Sequence, residues 1–416
     1  MKLNKWLPII FLLITWYIPR QTAPGAYLEN YLILRWITFL VIPLIFIWFI
    51  LHMLLSDTKI YVANILFPII SLFGIIIFSG LINQSSLLEI AFTILIYLRY
   101  PLLFIVFLNM DIDKDVLESF LKVFLFLVII QIPEVFYRFF VMGIRWDHIS
   151  WTLGPWGTFD LGVYMIYATA LIVARDLIIR LKLGHIILIL CFFSVALMGE
   201  IKAFIFFAPV VAIFVIYNCF KKKISKKKLY IAIGLLTVIV VGFIFSVNWY
   251  GKVFPEIKGN ILNPKEEGGV SRISAFPNII SKVEINTSNF LIGWGPGSSL
   301  AGEYLAERGK IFEFPISYKT QLAETFVDVG IVGMIAYFWL LISLILEFRK
   351  HMKVEDDKTY IFLNHAIIGM WLFYAILGPV YDITWRHDSP NFIFYFLAAV
   401  LYHRYRNIKN ENSTYQ

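Results

Sequence analysis

Two short polar segments of this chain combine cationic and aromatic side chains that could hold a sugar or an anion. The segment GIRWDHISWTLGPWGTFD contains Arg145, His148 and Trp151, and the segment YDITWRHD contains Arg386 and His387. Indole rings can cover the apolar face of a sugar while charged groups bind its hydroxyls. A belt of tryptophans at a membrane surface is the simpler alternative.

Two further cations occur where the local pattern favours an anion. Lys202 follows Gly199–Glu200 between two apolar runs that are too close for a real loop, so it is predicted at the start of a helix. A helix N-terminus beside a cation suits a phosphate. Arg272 falls in the first turn of an amphipathic pattern, Val270–Val283, that predicts a helix on a surface. The alternative for Lys202 is a side chain that only reaches the lipid headgroups.

The elements that must position these residues are strongly apolar. The 416-residue chain is 60% hydrophobic and 15% charged, with a mean hydropathy of +0.77, whereas soluble domains are about 25% charged. Apolar runs of about 20 residues span a bilayer as helices, and no alternating strand pattern suggests a barrel. The two cysteines lie inside apolar runs and offer no disulfide or metal site. We predict an all-α integral membrane protein with about twelve transmembrane helices.

The predicted spans divide the chain around one large polar segment. Residues 1–247 contain nine spans, 248–317 form the large loop with its amphipathic helix, 318–405 contain spans ten to twelve, and 406–416 form a tail. Lysine and arginine concentrate in alternate connections, most densely in Lys221–Lys228. By the positive-inside rule both termini are cytoplasmic and the large loop is periplasmic or extracellular. The net charge of +8 therefore reports orientation in a cytoplasmic membrane, and we expect no nucleic-acid partner.

Other charged residues are expected near the two membrane faces. The tenth span is predicted near 318–347, with Lys319, Glu324 and Asp328 at its outer start. Glu134 and Arg138 are spaced to form an ion pair on one helix. Because nearly all charges are expected at the faces, the chain differs from transporters that bury charges along a path.

The order of motifs in and after the large loop is distinctive. It runs Arg272, Asn289-Phe-Leu-Ile-Gly-Trp-Gly295, Lys319, and then Asp328-Val-Gly330-Ile-Val-Gly333. This order, with a large outer loop before the last three spans, resembles the superfamily of O-antigen polymerases and O-antigen ligases. The resemblance covers most of the chain as architecture but only residues 272–333 as motif. Lys319-Thr320 stands where the ligases carry His-Asn, and this departure favours a polymerase.

The resemblance implies glycosyl transfer at the outer face of the cytoplasmic membrane. The donor would be a sugar chain on undecaprenyl pyrophosphate, and the acceptor a hydroxyl of another lipid-linked repeat unit, giving O-antigen, capsule or exopolysaccharide. Cationic side chains can stabilise the leaving pyrophosphate, so no cofactor or metal ion is expected. The expected partners are the lipid-linked oligosaccharide and the bilayer, with a chain-length regulator and a flippase as further candidates.

The site residues follow from the same resemblance and from the polar segments. The catalytic set is Arg272, Lys202, Lys319 and Glu324, and the substrate-binding set is Arg145, His148, Trp151, Arg386 and His387. A general base would be a carboxylate or a histidine, and the sequence does not choose among Glu324, Asp328, Asp160, His148 and Asp388. The alternatives are a ligase that joins a finished glycan to an acceptor, and a flippase or small-molecule transporter.

Overall fold

The computed structural model describes most of the chain as helices. It covers residues 6–21, 32–56, 60–61, 64–144, 149–150, 153, 157–220, 226–253, 275–282, 286–299, 320–351, 353, 355–381 and 387–414, and these residues form no β-strand. Six of the predicted site residues lie outside the described residues. They are Arg145, His148, Trp151, Arg272, Lys319 and Arg386.

The helices follow the apolar runs of the sequence. They are α1 (Trp6–Gln21), α2 (Leu32–Leu55), α3 (Leu66–Ile82), α4 (Leu87–Leu108), α5 (Lys114–Phe140), α6 (Thr158–Ile178), α7 (Leu183–Met198), α8 (Lys202–Phe220), α9 (Lys226–Val253), α10 (Ala275–Lys282), α11 (Thr287–Ile292), α12 (Gln321–His351), α13 (Lys358–Leu372), a π-helical turn (Phe373–Leu377), α14 (Gly378–Tyr381) and α15 (Asp388–Thr414). Within the described residues, seven helical segments are long and apolar enough to cross a membrane, and four shorter helices are also apolar. The protein is therefore an all-α protein with the features of a multi-pass membrane protein.

Helix α6 forms the centre of the bundle. In its most apolar window 89% of the residues are buried, compared with 28% for α9. Small residues allow close helix approach, and Gly162 of α6 lies directly against the side chain of Ile201 at the start of α8. Outward residues of α9 such as Phe245 remain exposed, as expected of a helix that faces lipid. The described elements thus surround α6, which makes α6 the reference for locating a site.

Helix α12 is not one straight span. Gly330 interrupts it with φ +65° and ψ −168°, a combination that side-chain-bearing residues rarely adopt. The side chain of Gln321 hydrogen-bonds the hydroxyl of Tyr337, although 16 residues of straight helix would separate them by about 24 Å. The chain therefore turns back at Gly330, and residues 321–329 form a half-helix packed beside residues 331–351.

This reversal corrects the predicted tenth span near 318–347. Asp328 lies next to the turn at Gly330, but the half-helix leads from there back to the level of Tyr337. Tyr337 is seven residues, about 10 Å, along α12 from Gly330. Gln321 and Glu324 therefore lie inside the bundle, and Glu324 is not at the outer start of a span. The hydropathy pattern could not reveal this, because both arms of the hairpin are apolar enough to belong to one span.

The two ends of the bundle differ in what holds them. We call the half of the bundle that carries residues 286–299, the N-terminal half of α4 and the N-termini of α6 and α15 the loop end. At the opposite end, Arg404 of α15 donates to the buried carboxylate of Glu355 at 3.1 and 3.4 Å. At the same end, burial raises the pKa of Asp357. Hydrogen bonds from Lys114 and the Thr359 backbone outweigh this effect, so the pKa lies below its ordinary value of 3.8.

The predicted ion pair on α5 is confirmed. Arg138 Nε lies 3.4 Å from Glu134 Oε1, and both side chains are mostly buried.

Candidate functional site

A buried Asp–His pair lies at the loop end of the bundle. His387 directly precedes α15, and its Nδ1 atom lies against the carboxylate of Asp160 in the first turn of α6. The His387 ring also lies 4.5 Å from the ring of Phe159. A carboxylate that accepts a hydrogen bond from Nδ1–H places the lone pair of a neutral imidazole on Nε2. The pair can therefore serve as an oriented proton acceptor.

A second buried pair lies beside the first. The side chain of Arg99 is fully buried in the middle of α4 and forms an ion pair with Asp388. The Tyr100 hydroxyl donates to the same carboxylate at 2.8 Å. Helix α4 continues for 12 residues, about 18 Å, from Arg99 towards its N-terminus. Asp388, a candidate base in the sequence, is thus engaged by two donors well inside the bundle.

Arg99 corrects the expectation that nearly all charges lie near the membrane faces. It is the twelfth residue after Leu87 in a segment whose neighbours are almost all apolar. A charge at that depth in a bilayer is costly and tends to be functional. This signal was present in the sequence, since a single arginine in the middle of a span marks a functional candidate by itself.

Aromatic rings surround the Asp–His pair on the side of α8. Tyr381 stacks on Phe159 with ring centroids 6.2 Å apart, and Phe207 of α8 meets Tyr381 at 5.3 Å. Helix α8 begins at Lys202, as predicted, and the preceding turn requires φ +50° at Glu200. The predicted cation Lys202 and the predicted His387 are therefore carried by elements that meet at the loop end.

The glycine-rich segment 293–297 acts as a docking element. The backbones of Gly293 and Gly330 are in contact, and a Cβ atom on Gly293 would lie 2.7 Å from backbone atoms of Val327 and Val329. The Trp294 N–H donates to the Val327 carbonyl at 2.8 Å. This geometry explains why the motif around Gly330 and the motif around Gly293 occur together in the sequence. A side chain on either glycine would collide with the backbone of the other segment.

Helix α10 lies within the predicted amphipathic segment. Its Phe276 meets Phe326 of the half-helix edge to face at 5.3 Å, and Phe290 and Trp294 meet the same ring at 5.9 and 6.0 Å. Ile279 of α10 is buried in the same apolar cluster. Helix α10 is therefore packed on the half-helix.

Asp328 fastens this segment to the half-helix. The backbone N–H and the hydroxyl of Ser299 both donate to its buried carboxylate at 2.9 Å. Ser79 of α3 donates to the Asp328 carbonyl at 3.1 Å and to the Ile292 carbonyl at 2.6 Å. Asp328, a candidate base in the sequence, thus has a structural role.

We expect Asp328→Ala to loosen the docked segment. The change leaves the buried Ser299 N–H without this acceptor, which costs about 1–3 kcal/mol. Limited proteolysis of the purified protein should show faster cleavage within residues 286–320 than in the wild type. Asp356→Ala, at an exposed position, is the control and should cleave at the wild-type rate. Equal rates for Asp328→Ala and the wild type would contradict the fastening role.

The half-helix presents a buried polar face to the bundle. Gln321 and Glu324 are 0% and 2% exposed, and they lie on one side of the helix because three residues are nearly one turn. The Gln321 amide contacts Tyr337, which hydrogen-bonds Tyr374, which in turn hydrogen-bonds Tyr395. Glu324, predicted to be catalytic, therefore lies one helical turn from Gln321, which contacts this chain of tyrosine hydroxyls. The Glu324 side chain is buried.

In the described part of the site, contacts join Asp160 with His387 and Asp388 with Arg99, Lys202 begins the neighbouring helix α8, and Glu324 lies on a separate buried face. Sequence reasoning missed Arg99 and Tyr100, and it did not connect His387 with Asp160. No protein-family model matches this chain, and no curated protein matches it in sequence.

Proposed function

We propose that this protein is a membrane glycosyltransferase that polymerises lipid-linked oligosaccharide repeat units. The observation that carries the proposal is the buried Asp160–His387 pair at the loop end of an apolar helical bundle. The motif order of residues 272–333 adds support, because the two glycine motifs of that order dock on each other. The proposal includes about twelve spans, cytoplasmic termini and an outward-facing loop end.

In the proposed reaction His387 accepts the proton of the acceptor hydroxyl. The hydroxyl oxygen then bonds to the anomeric carbon of the donor sugar, and the bond from that carbon to the pyrophosphate oxygen breaks. The electron pair of the broken bond leaves with the lipid pyrophosphate. Asp160 holds the imidazole in one tautomer and stabilises the imidazolium that forms, as carboxylates do beside catalytic histidines.

The leaving pyrophosphate requires positive charge near the pair. Lys202 at the N-terminus of α8 is the described candidate, and preorganised cations stabilise such developing charge without a metal ion. Arg272, Lys319, Arg145 and Arg386 are proposed for the same role or for sugar binding, and they lie outside the described residues. His148 and Trp151 complete the proposed substrate contacts.

Movement of a lipid-linked sugar across the membrane is the second candidate function. The buried Arg99–Asp388 pair favours it, because charges held inside a bundle are a feature of transport pathways. A ligase remains the closest chemical alternative, since it would use the same donor and the same base but a different acceptor.

The decisive experiment is reconstitution of the purified protein in vesicles with synthetic undecaprenyl-pyrophosphate repeat units. We expect products that carry two, three and more repeats, separated by gel or mass. Single repeats transferred to an added non-repeat acceptor would instead indicate a ligase. Translocation of an unchanged lipid-linked unit, with no elongation, would indicate that the protein is a flippase and not a polymerase.

A further inference from the structure

Three consecutive residues at the start of α15 are tied to three different helices. His387 is paired with Asp160 of α6, and Asp388 is paired with Arg99 of α4. Ser389 donates to the carbonyl of Thr15 in α1 at 2.6 Å. The three ties leave from neighbouring backbone positions, so the first turn of α15 cannot shift towards one helix without lengthening a contact to another.

We propose that Arg99, acting through Asp388, is a positioning residue that holds the His387 imidazole against Asp160. The assignment of His387 as the base rests on the proposed function, but the positional coupling does not. Asp160 alone could draw His387 towards α6. The Arg99–Asp388 pair prevents α15 from following, so the pair fixes the distance between the imidazole and its carboxylate.

The burial of the participants makes this coupling rigid. Arg99 is 0% and Asp388 4% exposed, so neither charge can be rehydrated without opening the bundle. Tyr100 supplies a second donor to Asp388 at 2.8 Å, which limits how the carboxylate can rotate. Asn391 returns two hydrogen bonds to the His387 carbonyl, from its backbone at 3.3 Å and its side chain at 2.8 Å.

The charged groups around His387 make the proposal measurable through the pH at which the imidazole is half protonated. Asp160 and Asp388 favour the protonated imidazole, while Arg99 opposes it. Among the described residues, other titratable groups on the surrounding elements include Tyr97, Tyr100, Tyr164, Tyr167, Tyr395, Tyr381 on α14, and Lys202 at the start of α8. Loss of Arg99 acting through its charge alone would therefore raise the pH at which His387 is half protonated, whereas release of the imidazole from Asp160 would lower it.

The experiment measures acylation of His387 by diethyl pyrocarbonate, which attacks neutral imidazole, in the full-length purified protein. Site-resolved mass spectrometry follows the modification against pH. His185 serves as the internal reference, because its Nδ1 atom lies 2.7 Å from Asp176 at the opposite end of the bundle. We expect the midpoint for His387 to fall in both Arg99→Gln and Asp388→Asn, because each variant releases the imidazole from Asp160. The midpoint for His185 should not move.

A matched control separates positioning from simple anchoring of α15. Arg404→Gln also breaks a pair between an arginine and a buried carboxylate, because Arg404 of α15 is paired with Glu355. Arg404 lies 17 residues, about 25 Å, from His387. We expect no shift of His387 in this variant. A rise of the His387 midpoint in Arg99→Gln, or an equal fall in Arg404→Gln, would overturn the proposal. If Arg99→Gln does not fold, Tyr100→Phe removes one donor and should give a smaller shift in the same direction.

The elongation assay distinguishes failure of this proposal from failure of the proposed function. Lower midpoints for Arg99→Gln and Asp388→Asn in a protein that never elongates lipid-linked sugar would retain the positioning and reject the polymerase. Elongation at the wild-type rate in Arg99→Gln, without midpoint shifts, would reject the positioning alone. If both hold, Arg99→Gln should lower kcat at least 10-fold with little change in KM.

Discussion

Replacement of His387 by alanine is expected to lower the rate of repeat-unit elongation by about 10²–10⁴-fold, the range that general base catalysis contributes. The reason is that Asp160 presents the His387 imidazole in one orientation, and alanine removes the proton acceptor. Because the proposed pyrophosphate-binding cations are other residues, we expect KM to change little. The measurement is the initial rate of chain growth in vesicles at saturating lipid-linked repeat unit.

Two further variants test whether the effect belongs to catalysis. Asp160→Asn keeps the volume of the side chain but can hold the opposite tautomer of His387, so kcat should fall while the folded protein remains. His185→Ala removes the histidine of another Asp–His pair, at the opposite end of the bundle, and should retain the wild-type rate. Chain growth by His387→Ala at more than half the wild-type rate would exclude His387 as the base.

The helices of this protein could be predicted from hydropathy. An apolar run in a membrane must satisfy its backbone N–H and C=O groups by hydrogen bonds within the run, and a helix does so. The turn at Gly199–Ile201 illustrates this well. Its brevity predicted that a helix would begin at Lys202, and α8 begins there. The buried centre could not be predicted in the same way. Tyr100 and Asp388 are 288 positions apart in the chain, and hydropathy contains no information about which helices become neighbours.

The two glycine motifs illustrate what a motif order can and cannot reveal. The order around Gly293 and Gly330 indicated a family-like outer loop. It did not reveal that the two glycines lie against each other, because either turn is compatible with many partners. Residues 293–297 instead dock on the half-helix. The reversal at Gly330 escaped prediction since a single glycine within an apolar run more often lies in a continuous helix.

Substitution of Gly330 by alanine is expected to unfold the junction between the half-helix and the docked segment. A side chain at φ +65° costs about 1–3 kcal/mol by itself. A Cβ atom there would also lie 2.4 Å from the Leu291 carbonyl oxygen and 2.5 Å from the backbone nitrogen of Gly293. Both neighbours are backbone atoms, so neither can rotate away. Thermal unfolding of the purified protein should begin several degrees lower than in the wild type, and chain elongation should be lost with it.

Gly74→Ala is the matched control for this substitution. Gly74 lies in α3, which packs against α12, but nothing lies within 4 Å of the position of its missing side chain. Alanine there should leave the unfolding temperature unchanged or raise it slightly, because alanine favours helix over glycine by about 1 kcal/mol. Gly293→Ala should resemble Gly330→Ala, since it meets the same backbone from the other side. If Gly330→Ala unfolded at the same temperature as Gly74→Ala, Gly330 and Gly293 would not be in contact and α12 would be a continuous span.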